Sequence, residues 1–313
     1  MKKIISNIIL AAIVLLGTVT SKAFALTVGI SLVDLSNPFF IMLAEEISAQ
    51  LEAQVEGQLT IYVHSSAYDL NQQNQQINDF INQEVDIIFI SASASDAIAP
   101  SIKSAREKGI IVAAVDIESR GADISITSDN FQAGQLSCQY LVDRLGGVGE
   151  IAIINGWTTI SSTRNRVAGC SDRLKQYPGI NLVSYSHSGS GSFSGGLESM
   201  TYLMLEYPNL DAVFAINDLT ALGAEEAAKQ SGNDKIMIAA VDGSPLFLDH
   251  LKSPESLLVA TAAQFPRAIA QKAVILALQK LSETSSGHTA ELIATELVTK
   301  QNVSQFSNWD KIK

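Results

Sequence analysis

The sequence contains little cysteine or proline, few aromatic side chains and few basic residues. Among its 313 residues there are 2 Cys and 7 Pro, and aromatic residues make up 6%. With so little proline and a hydrophobic content of 47%, collagen-like chains, mini-protein scaffolds and long disordered stretches are excluded. Lys and Arg number 21 against 32 Asp and Glu, which gives a net charge of -11. Because so acidic a surface repels phosphates, we expect no nucleic-acid partner.

Sequence signatures of enzymes, metals and cofactors are also missing. No G-x-S-x-G elbow occurs, and no G-x-G-x-x-G motif follows the first predicted strand, which argues against a serine hydrolase and a dinucleotide cofactor. The four histidines lie far apart without the spacing of metal ligands, and the sequence has no calcium loop. The sequence therefore predicts a protein that is not an enzyme and that holds no metal or cofactor.

The N-terminus has the features of a secretory signal peptide. Lys2 and Lys3 precede an apolar run over residues 4–19, and Ala23-Phe24-Ala25 has the small-x-small pattern of a cleavage site. The run is short for a membrane span; a membrane anchor and a buried first helix are the alternatives. We expect a signal peptide over residues 1–25 that is cleaved after Ala25. Because no cysteine lies at the cleavage point for lipid attachment, we expect a soluble protein in the periplasm.

Two cysteines, Cys138 and Cys170, lie on predicted helices of the same half of the chain, over residues 135–145 and 163–177. In an oxidising periplasm two such cysteines can form a disulfide. The alternative is that both are small buried side chains without a bond. Their spacing does not decide between the two, and we favour the disulfide.

Strand-like and helix-like segments alternate from Leu26 onward in two series of about equal length. Several strands are continuous runs of Val, Ile and Ala, which is typical of strands buried on both faces of a parallel sheet. Two such series predict an α/β protein with two doubly wound domains. After the second series the tail adds a strand over 257–264, a helix over 266–281 and a last strand over 292–298.

Polar and aromatic residues follow the predicted strands, at the edge where parallel sheets bind ligands. They are Asp34, Asn37, Phe39, Phe40, Asp116, Trp157, Arg164, Phe193, Asn217, Asp242 and Gln264. Planar polar groups pair with neighbouring hydroxyls and aromatic rings cover C–H faces, so the set suits a neutral, hydroxyl-rich ligand. Structural alternatives are Asn37 as a helix cap, Phe40 as a core residue and Arg164 as the partner of a surface acid. Asp242-Gly243 could likewise be an ordinary turn.

Six short motifs occur in order along the chain. They are Asn37-Pro38-Phe39-Phe40, Ser128-Asp129-Asn130, Thr163-Arg164-Asn165-Arg166, the run from Ala212 to Asp218, Val241-Asp242-Gly243 and Ala262-Ala263-Gln264. In this order and spacing the sequence resembles the ribose-binding-type periplasmic sugar-binding proteins, the soluble receptors of ABC importers. Each motif alone is weak evidence for this family, but the six together are specific. The resemblance covers essentially the whole mature chain.

The resemblance implies the periplasmic binding protein type I fold, in which two Rossmann-like lobes are joined by three hinge crossings, here near Ser128, Gln264 and Ala294. The N-terminal lobe would comprise residues 26–128 and 265–294, and the C-terminal lobe residues 129–264 and 295–313. Carried over from the family, the residues that would hydrogen-bond a ligand in the cleft are Asn37, Asp116, Arg164, Asn217, Asp242 and Gln264. Phe39, Phe40 and Phe193 would stack on the ligand, and Asp34 and Trp157 are further candidates.

One residue departs from the ribose-binding pattern. Ribose binders usually carry an arginine directly after the strand-end aspartate, whereas Asp116 is followed here by Ile117. The cleft around Ile117 should be less polar, which weakens the case for ribose itself. Other pentoses, hexoses and open-chain polyols remain as ligands.

The resemblance therefore implies a monomeric periplasmic binding protein that captures a small neutral sugar or polyol and delivers it to an ABC permease in the inner membrane. The alternative function is a ligand-sensing module that feeds a chemoreceptor or sensor kinase. An exported sugar-modifying enzyme and the effector half of a repressor fit less well, because the sequence lacks enzyme motifs and a helix-turn-helix.

Overall fold

The computed structural model describes residues 25–282, 287–307 and 309, and in these ranges the chain forms two α/β lobes, each built on a six-stranded sheet. The predicted signal peptide lies outside the described residues, apart from Ala25, which starts the first strand. Within the described ranges, the structure contains no helix with both the length and the apolar character needed to cross a membrane.

The first lobe is formed mainly by the N-terminal part of the chain. Its strands are β1 (Ala25–Leu32), β2 (Gln58–Ser65), β3 (Ile87–Ile90), β4 (Ile111–Val115) and β5 (Ile124–Ser128). Its helices are α1 (Pro38–Gln54), α2 (Leu70–Asn82) and α3 (Ala99–Glu107).

The second lobe follows as α4 (Asn130–Arg144), β6 (Gly149–Ile154), α5 (Ser161–Leu174), β7 (Ile180–Ser184), α6 (Phe193–Glu206), β8 (Ala212–Ala215), α7 (Asp218–Gln230), β9 (Met237–Asp242), α8 (Pro245–Leu251) and β10 (Leu258–Ala263). The chain then returns to the first lobe with α9 (Pro266–Ser282) and β11 (Thr289–Ile293), and to the second with β12 (Glu296–Thr299). A short 3-10 turn, Val303–Gln305, follows.

The strand order is β11-β5-β4-β3-β1-β2 in the first sheet and β12-β10-β9-β8-β6-β7 in the second. Among the described strands all pairs are parallel except β10 with β12, which is antiparallel. Every residue of β3 and β4 is buried, as expected of apolar strands covered by helices on both faces. The predicted α/β class with two doubly wound lobes is therefore confirmed.

The chain passes between the sheets at three places. These are the steps from β5 to α4 after Ser128, from β10 to α9 around Gln264, and from β11 to β12 around Ala294. Because all three lie at strand ends, the edges of both sheets that carry the predicted site face the same gap between the lobes.

Two elements differ from the sequence prediction. The single strand predicted over 292–298 is split into β11 and β12, which pair with different sheets in different directions. The prediction was wrong because the sequence of this run does not show that its two halves pair with different sheets. Helix α8 was not predicted; it has only seven residues, with Ser244 as its cap and Pro245 in its first turn.

The C-terminal segment contacts both lobes. Trp309 is buried in the apolar core of the first lobe, with its ring 5.6 Å from that of Phe39. Its indole Nε1 donates a hydrogen bond to the Asp242 carbonyl oxygen of the second lobe at 2.8 Å. This tryptophan therefore packs in the first lobe, whereas the lobe boundary expected from the sequence assigns residues 295–313 to the second.

Helices α4 and α5 are joined by the disulfide Cys138–Cys170, with Cα atoms 5.2 Å apart. Glycines allow this close approach: a Cβ at Gly134 would lie 2.0 Å from the Arg166 carbonyl oxygen, and one at Gly169 would lie 2.0 Å from that of Phe131. Any larger residue at either position would push the two helices apart.

Candidate functional site

A cavity lies between the lobes, at the carboxyl ends of the strands. It has about 490 Å³ free of protein atoms, counting its mouth towards solvent. The first lobe lines it with Asn37, Phe39, Phe40, Tyr68, Asp116 and Ile117. The second lobe and its crossing contribute Gly156, Trp157, Ile160, Ser162, Thr163, Arg166, Gly191, Ile216, Asn217, Asp242 and Gln264.

Most of the residues predicted from strand ends line this cavity. Seven of the nine principal candidates are present, namely Asn37, Phe39, Phe40, Asp116, Asn217, Asp242 and Gln264. Of the two further candidates, Trp157 lines the cavity and Asp34 does not. The Asp34 carboxylate instead accepts hydrogen bonds from the backbone N–H and the hydroxyl of Ser36, at 2.8 and 2.6 Å.

The predicted position of the site arginine needs correction. Arg164 lies outside the cavity with its side chain 42% exposed; it donates to the Thr158 carbonyl and faces Asp96 at 3.5 Å. Arg166 instead lines the cavity, with its side chain 8% exposed. Two residues along an α-helix are about 200° apart, so the two side chains lie on opposite faces. Gly169 and Cys170 follow Arg166 by three and four residues and lie on the same buried face of α5. This helical spacing was the sequence signal that Arg166, and not Arg164, points inward.

Phe193 also lies outside the cavity lining, with 45% of its surface exposed. It is the first residue of α6. As part of that helix Phe193 packs closely on α7: a Cβ at Gly223 would lie 1.9 Å from its carbonyl oxygen. The structure therefore does not bring Phe193 together with the other predicted site residues.

Tyr68 lines the cavity and was missed. It lies in the loop after β2, with φ 60, and its ring stacks on that of Trp157 from the other lobe at 6.3 Å. Burial, with further contributions from Asp34, Asp116 and Asp242, raises the pKa of the Tyr68 phenol well above its ordinary value, so the group stays protonated. The strand-end rule would have found Tyr68 if the end of β2 had been considered.

Asp116 occupies a strained turn directly after β4. Its φ is 64, and the N–H of Ile117 donates to the Val115 carbonyl oxygen at 2.7 Å, which closes a γ-turn around Asp116. A non-glycine residue with positive φ is costly and is typical of functional sites. Burial raises the pKa of the Asp116 carboxyl to about 7, although Arg166 acts in the opposite direction. Its Oδ1 has no hydrogen-bond partner among the described residues.

Asp242, at the end of β9, is the centre of a buried polar network. Its Oδ1 accepts a hydrogen bond from Gln264 Nε2 at 2.7 Å and faces Arg166 Nη1 at 3.4 Å. Burial raises the pKa of the Asp242 carboxyl, and the Arg166 guanidinium opposes this. Arg166 also donates to Asn130 Oδ1 at 2.7 Å and to the Ile216 carbonyl oxygen at 3.0 Å. The guanidinium is therefore fixed in place and its charge is balanced by Asp242.

A second layer holds the backbone at Asp242, whose φ is 136. Asp218 is fully buried; it accepts the N–H of Ser244 at 2.6 Å and the hydroxyl of Thr261 at 2.7 Å. Burial and the nearby Asp242 raise the pKa of the Asp218 carboxyl well above its ordinary value. Asp218 thus orients the turn after β9 without lining the cavity itself.

The two asparagines of the cavity have structural bonds as well. Asn37 Oδ1 accepts the N–H of Phe39 at 3.0 Å as the cap of α1. Asn217 Oδ1 accepts the N–H of Thr220 at 3.0 Å as the cap of α7, and its Nδ2 donates to the Gly191 carbonyl oxygen at 3.0 Å. The cap alternative is therefore correct for Asn37, and both amides are also part of the cavity wall. Within the described ranges no group of three or more His, Cys, Asp or Glu could hold a metal ion.

Comparisons with known proteins identify the family to which this chain is similar. Residues 28–285 match the family model of the periplasmic binding protein domain. The chain is 33% identical over 249 residues to the ribose import binding protein of Bacillus subtilis strain 168, covering 79% of each protein. It is 27% identical over 281 residues to the D-apiose import binding protein of Actinobacillus succinogenes, covering 88% of this chain and 89% of the relative. A solved ABC transporter solute-binding protein from Mycobacterium smegmatis with bound glycerol has a TM-score of 0.80 and 27% identity, covering 90% of this chain and 96% of that one.

Proposed function

The chain belongs to the periplasmic binding protein family, and on that premise we propose that it captures a small neutral sugar or polyol between its lobes for delivery to an ABC importer. The ligand would enter an open form and would be enclosed when contacts from both lobes favour the closed form. The protein would bind its ligand without chemical turnover and act as a monomer.

The observation that carries this proposal is a pair of buried acceptors in the cavity. Asp116 Oδ1 and Gln264 Oε1 have no hydrogen-bond partners among the described residues. A buried acceptor left without a donor costs about 1–3 kcal/mol, and ligand hydroxyls would remove that cost. Phe39, Phe40 and Trp157 offer apolar ring surface for the C–H faces of the same ligand.

The charges of the cavity favour a neutral ligand over an anion. Arg166 is the only Lys or Arg among the described residues that line the cavity, and Asp242 balances its charge. An anion would therefore face Asp116 and Asp242 without an unbalanced cation to receive it. Ile117 adds an apolar wall where an arginine would have supplied a second cation.

The relatives support the ligand class and the transport role. The curated relatives are named for the import of ribose and D-apiose, and the solved relative holds glycerol. We further propose that this chain is exported to the periplasm with cleavage after Ala25 and that its partner is an ABC permease of the inner membrane.

A thermal-shift screen of the purified protein tests the ligand class. The panel contains pentoses, hexoses and polyols, with sugar phosphates and carboxylates as anionic counterparts. A ligand at 100 times its dissociation constant adds about 2.7 kcal/mol of stability, which is a shift of several degrees. We expect shifts from neutral polyhydroxy compounds that are lost in Gln264→Leu and kept in Arg164→Ala. Shifts from anions alone would contradict the proposal.

A further inference from the structure

Three hydrogen bonds between described residues join the lobes at one side of the cavity, where the loop before α3 meets the start of α5. The N–H of Ser95, in the loop between β3 and α3, donates to the Thr159 carbonyl oxygen at 3.0 Å. The Ser95 Oγ accepts the N–H of Ser161 at 2.9 Å, and the N–H of Glu118 donates to the Ser161 Oγ at 3.1 Å. We call these four residues, Ser95, Glu118, Thr159 and Ser161, the latch. Each bond crosses from the first lobe to the second, and none includes a group that lines the cavity.

One latch bond caps a helix of the opposite lobe. The first N–H groups of a helix have no partner within it, and they are usually satisfied by the side chain of the preceding residue. Ile160 precedes α5 and cannot do this, so its side chain makes no cap bond. The N–H of Ser161, the first helical residue, is instead satisfied by Ser95 from the first lobe. Opening of the cleft would leave the start of α5 without this cap.

The capped end of α5 is also the end that forms the site. Ser162, Thr163 and Arg166, all in the first two turns of α5, line the cavity. Ile160 itself packs into the apolar core of the first lobe and is 4% exposed. The Arg164–Asp96 pair lies beside the latch, but with side chains 42% and 67% exposed it contributes little. Closure therefore positions the part of α5 that faces the ligand.

We propose that the latch favours the closed arrangement of the lobes in ligand-free protein. In this proposal Ser95 and Ser161 are positioning residues, which set ligand affinity although they do not line the cavity. The effect on affinity rests on the function proposed above, whereas the effect on closure does not. A ligand binds with an apparent dissociation constant equal to the intrinsic constant divided by the fraction of competent protein. Removing a latch bond lowers the closed fraction, and so it weakens binding.

The closure can be measured by pulsed electron spin resonance distances in ligand-free protein. Spin labels on cysteines introduced at Gln75 of α2 and Glu198 of α6, both exposed, report the separation of the lobes. The native cysteines are bonded to each other and do not react with the label. We expect a short-distance population in the parent that decreases about fivefold relative to the open population in Ser95→Ala and in Ser161→Ala.

Ser91→Ala is the matched control for these variants. Ser91 is a buried serine just after β3, and its hydroxyl has no hydrogen-bond partner among the described residues. The control should keep the parent distances and the parent affinity, while each latch variant should bind a sugar or polyol about fivefold more weakly.

The possible failures are distinguishable. Equal distance distributions in the parent and both latch variants would overturn the latch, whichever ligand the protein binds. Unchanged affinity in variants with a reduced closed population would overturn the positioning role. Absence of any binding by neutral polyhydroxy compounds would instead contradict the proposed function, and the ligand-free distances would still test the closure.

Discussion

Replacing Asp116 with asparagine should stabilise the ligand-free protein and weaken its ligand binding. The Asp116 carboxyl is buried, and burial raises its pKa from 3.8 to about 7. Its Oδ1 has no hydrogen-bond partner among the described residues. An ionised carboxylate at this position is costly in the free protein, and asparagine removes the charge while it keeps the shape of the side chain.

The magnitude follows from linkage between protonation and folding. Between about pH 4 and pH 7 the unfolded chain has lost the Asp116 proton while the folded protein keeps it, so stability falls as pH rises through this window. The pKa difference limits this loss to about 4 kcal/mol. Above pH 7 Asp116→Asn should recover only about 1–3 kcal/mol of this lost stability. The gain is smaller than the full loss because the buried amide NH2 of the asparagine needs a hydrogen-bond partner of its own.

The effect on binding has the opposite sign. A carboxylate accepts a hydrogen bond from a ligand hydroxyl more strongly than an amide oxygen does, so Asp116→Asn should bind its ligand about tenfold more weakly at pH 8. Ligand hydroxyls favour the ionised form. The affinity of the parent should therefore fall as pH drops below about 7, whereas the affinity of the variant should change less with pH in this range.

Thermal unfolding and calorimetric titration at pH 5 and pH 8 measure both effects. Asp123→Asn is the contrasting variant, since the Asp123 carboxylate is also buried but accepts the N–H of Val112 at 3.0 Å and pairs with Arg106 at 2.9 Å. That variant should lose stability at pH 8. If Asp116→Asn also loses stability there, or keeps the affinity and pH dependence of the parent, the reasoning about an unpartnered buried carboxylate is refuted.

Three further predictions concern the corrected site and the disulfide. Arg166→Ala should lower stability by about 3–5 kcal/mol and abolish detectable titration heat, because Asp242 would be left buried without its cation. Arg164→Ala should change the titrated affinity by less than about twofold and should have little effect on stability, because its ion pair with Asp96 is exposed. Phe193→Ala should leave ligand affinity within about twofold in the same titration, and a larger loss would return Phe193 to the site. Replacing Cys138 and Cys170 together by alanine should lower the free energy of unfolding in urea by about 3–4 kcal/mol, from a closed loop with a sequence separation of 32; no change would show that the bond does not constrain the unfolded chain.

Much of the fold and of the cavity could be predicted because strand ends are visible in the sequence. Asp116 directly follows the apolar strand β4, Asp242 is the last residue of the apolar strand β9, and parallel strands bring their carboxyl ends to one edge. The same rule places Asn37 and Gln264 on the cavity wall. These positions depend on where strands end, which an apolar run marks to within a residue or two.

The failures have a different physical origin. The choice between Arg164 and Arg166 depends on the phase of a helix, and a shift of two residues moves a side chain to the opposite face. The split of the last strand depends on pairing with two distant strands, β5 and β10, which local sequence does not show. The latch depends on a hydrogen bond between Ser95 and Ser161, which are 66 positions apart in the sequence. Serine is common in loops, so the sequence does not single out either residue.

A crystal structure of the protein with a neutral polyhydroxy ligand from the screen tests the central claim most directly. The account predicts ligand hydroxyls within about 3.2 Å of both Asp116 Oδ1 and Gln264 Oε1, with C–H faces against the aromatic rings of the cavity and the latch bonds intact. A ligand bound away from both acceptors, or an anion paired with Arg166 in their place, would contradict it.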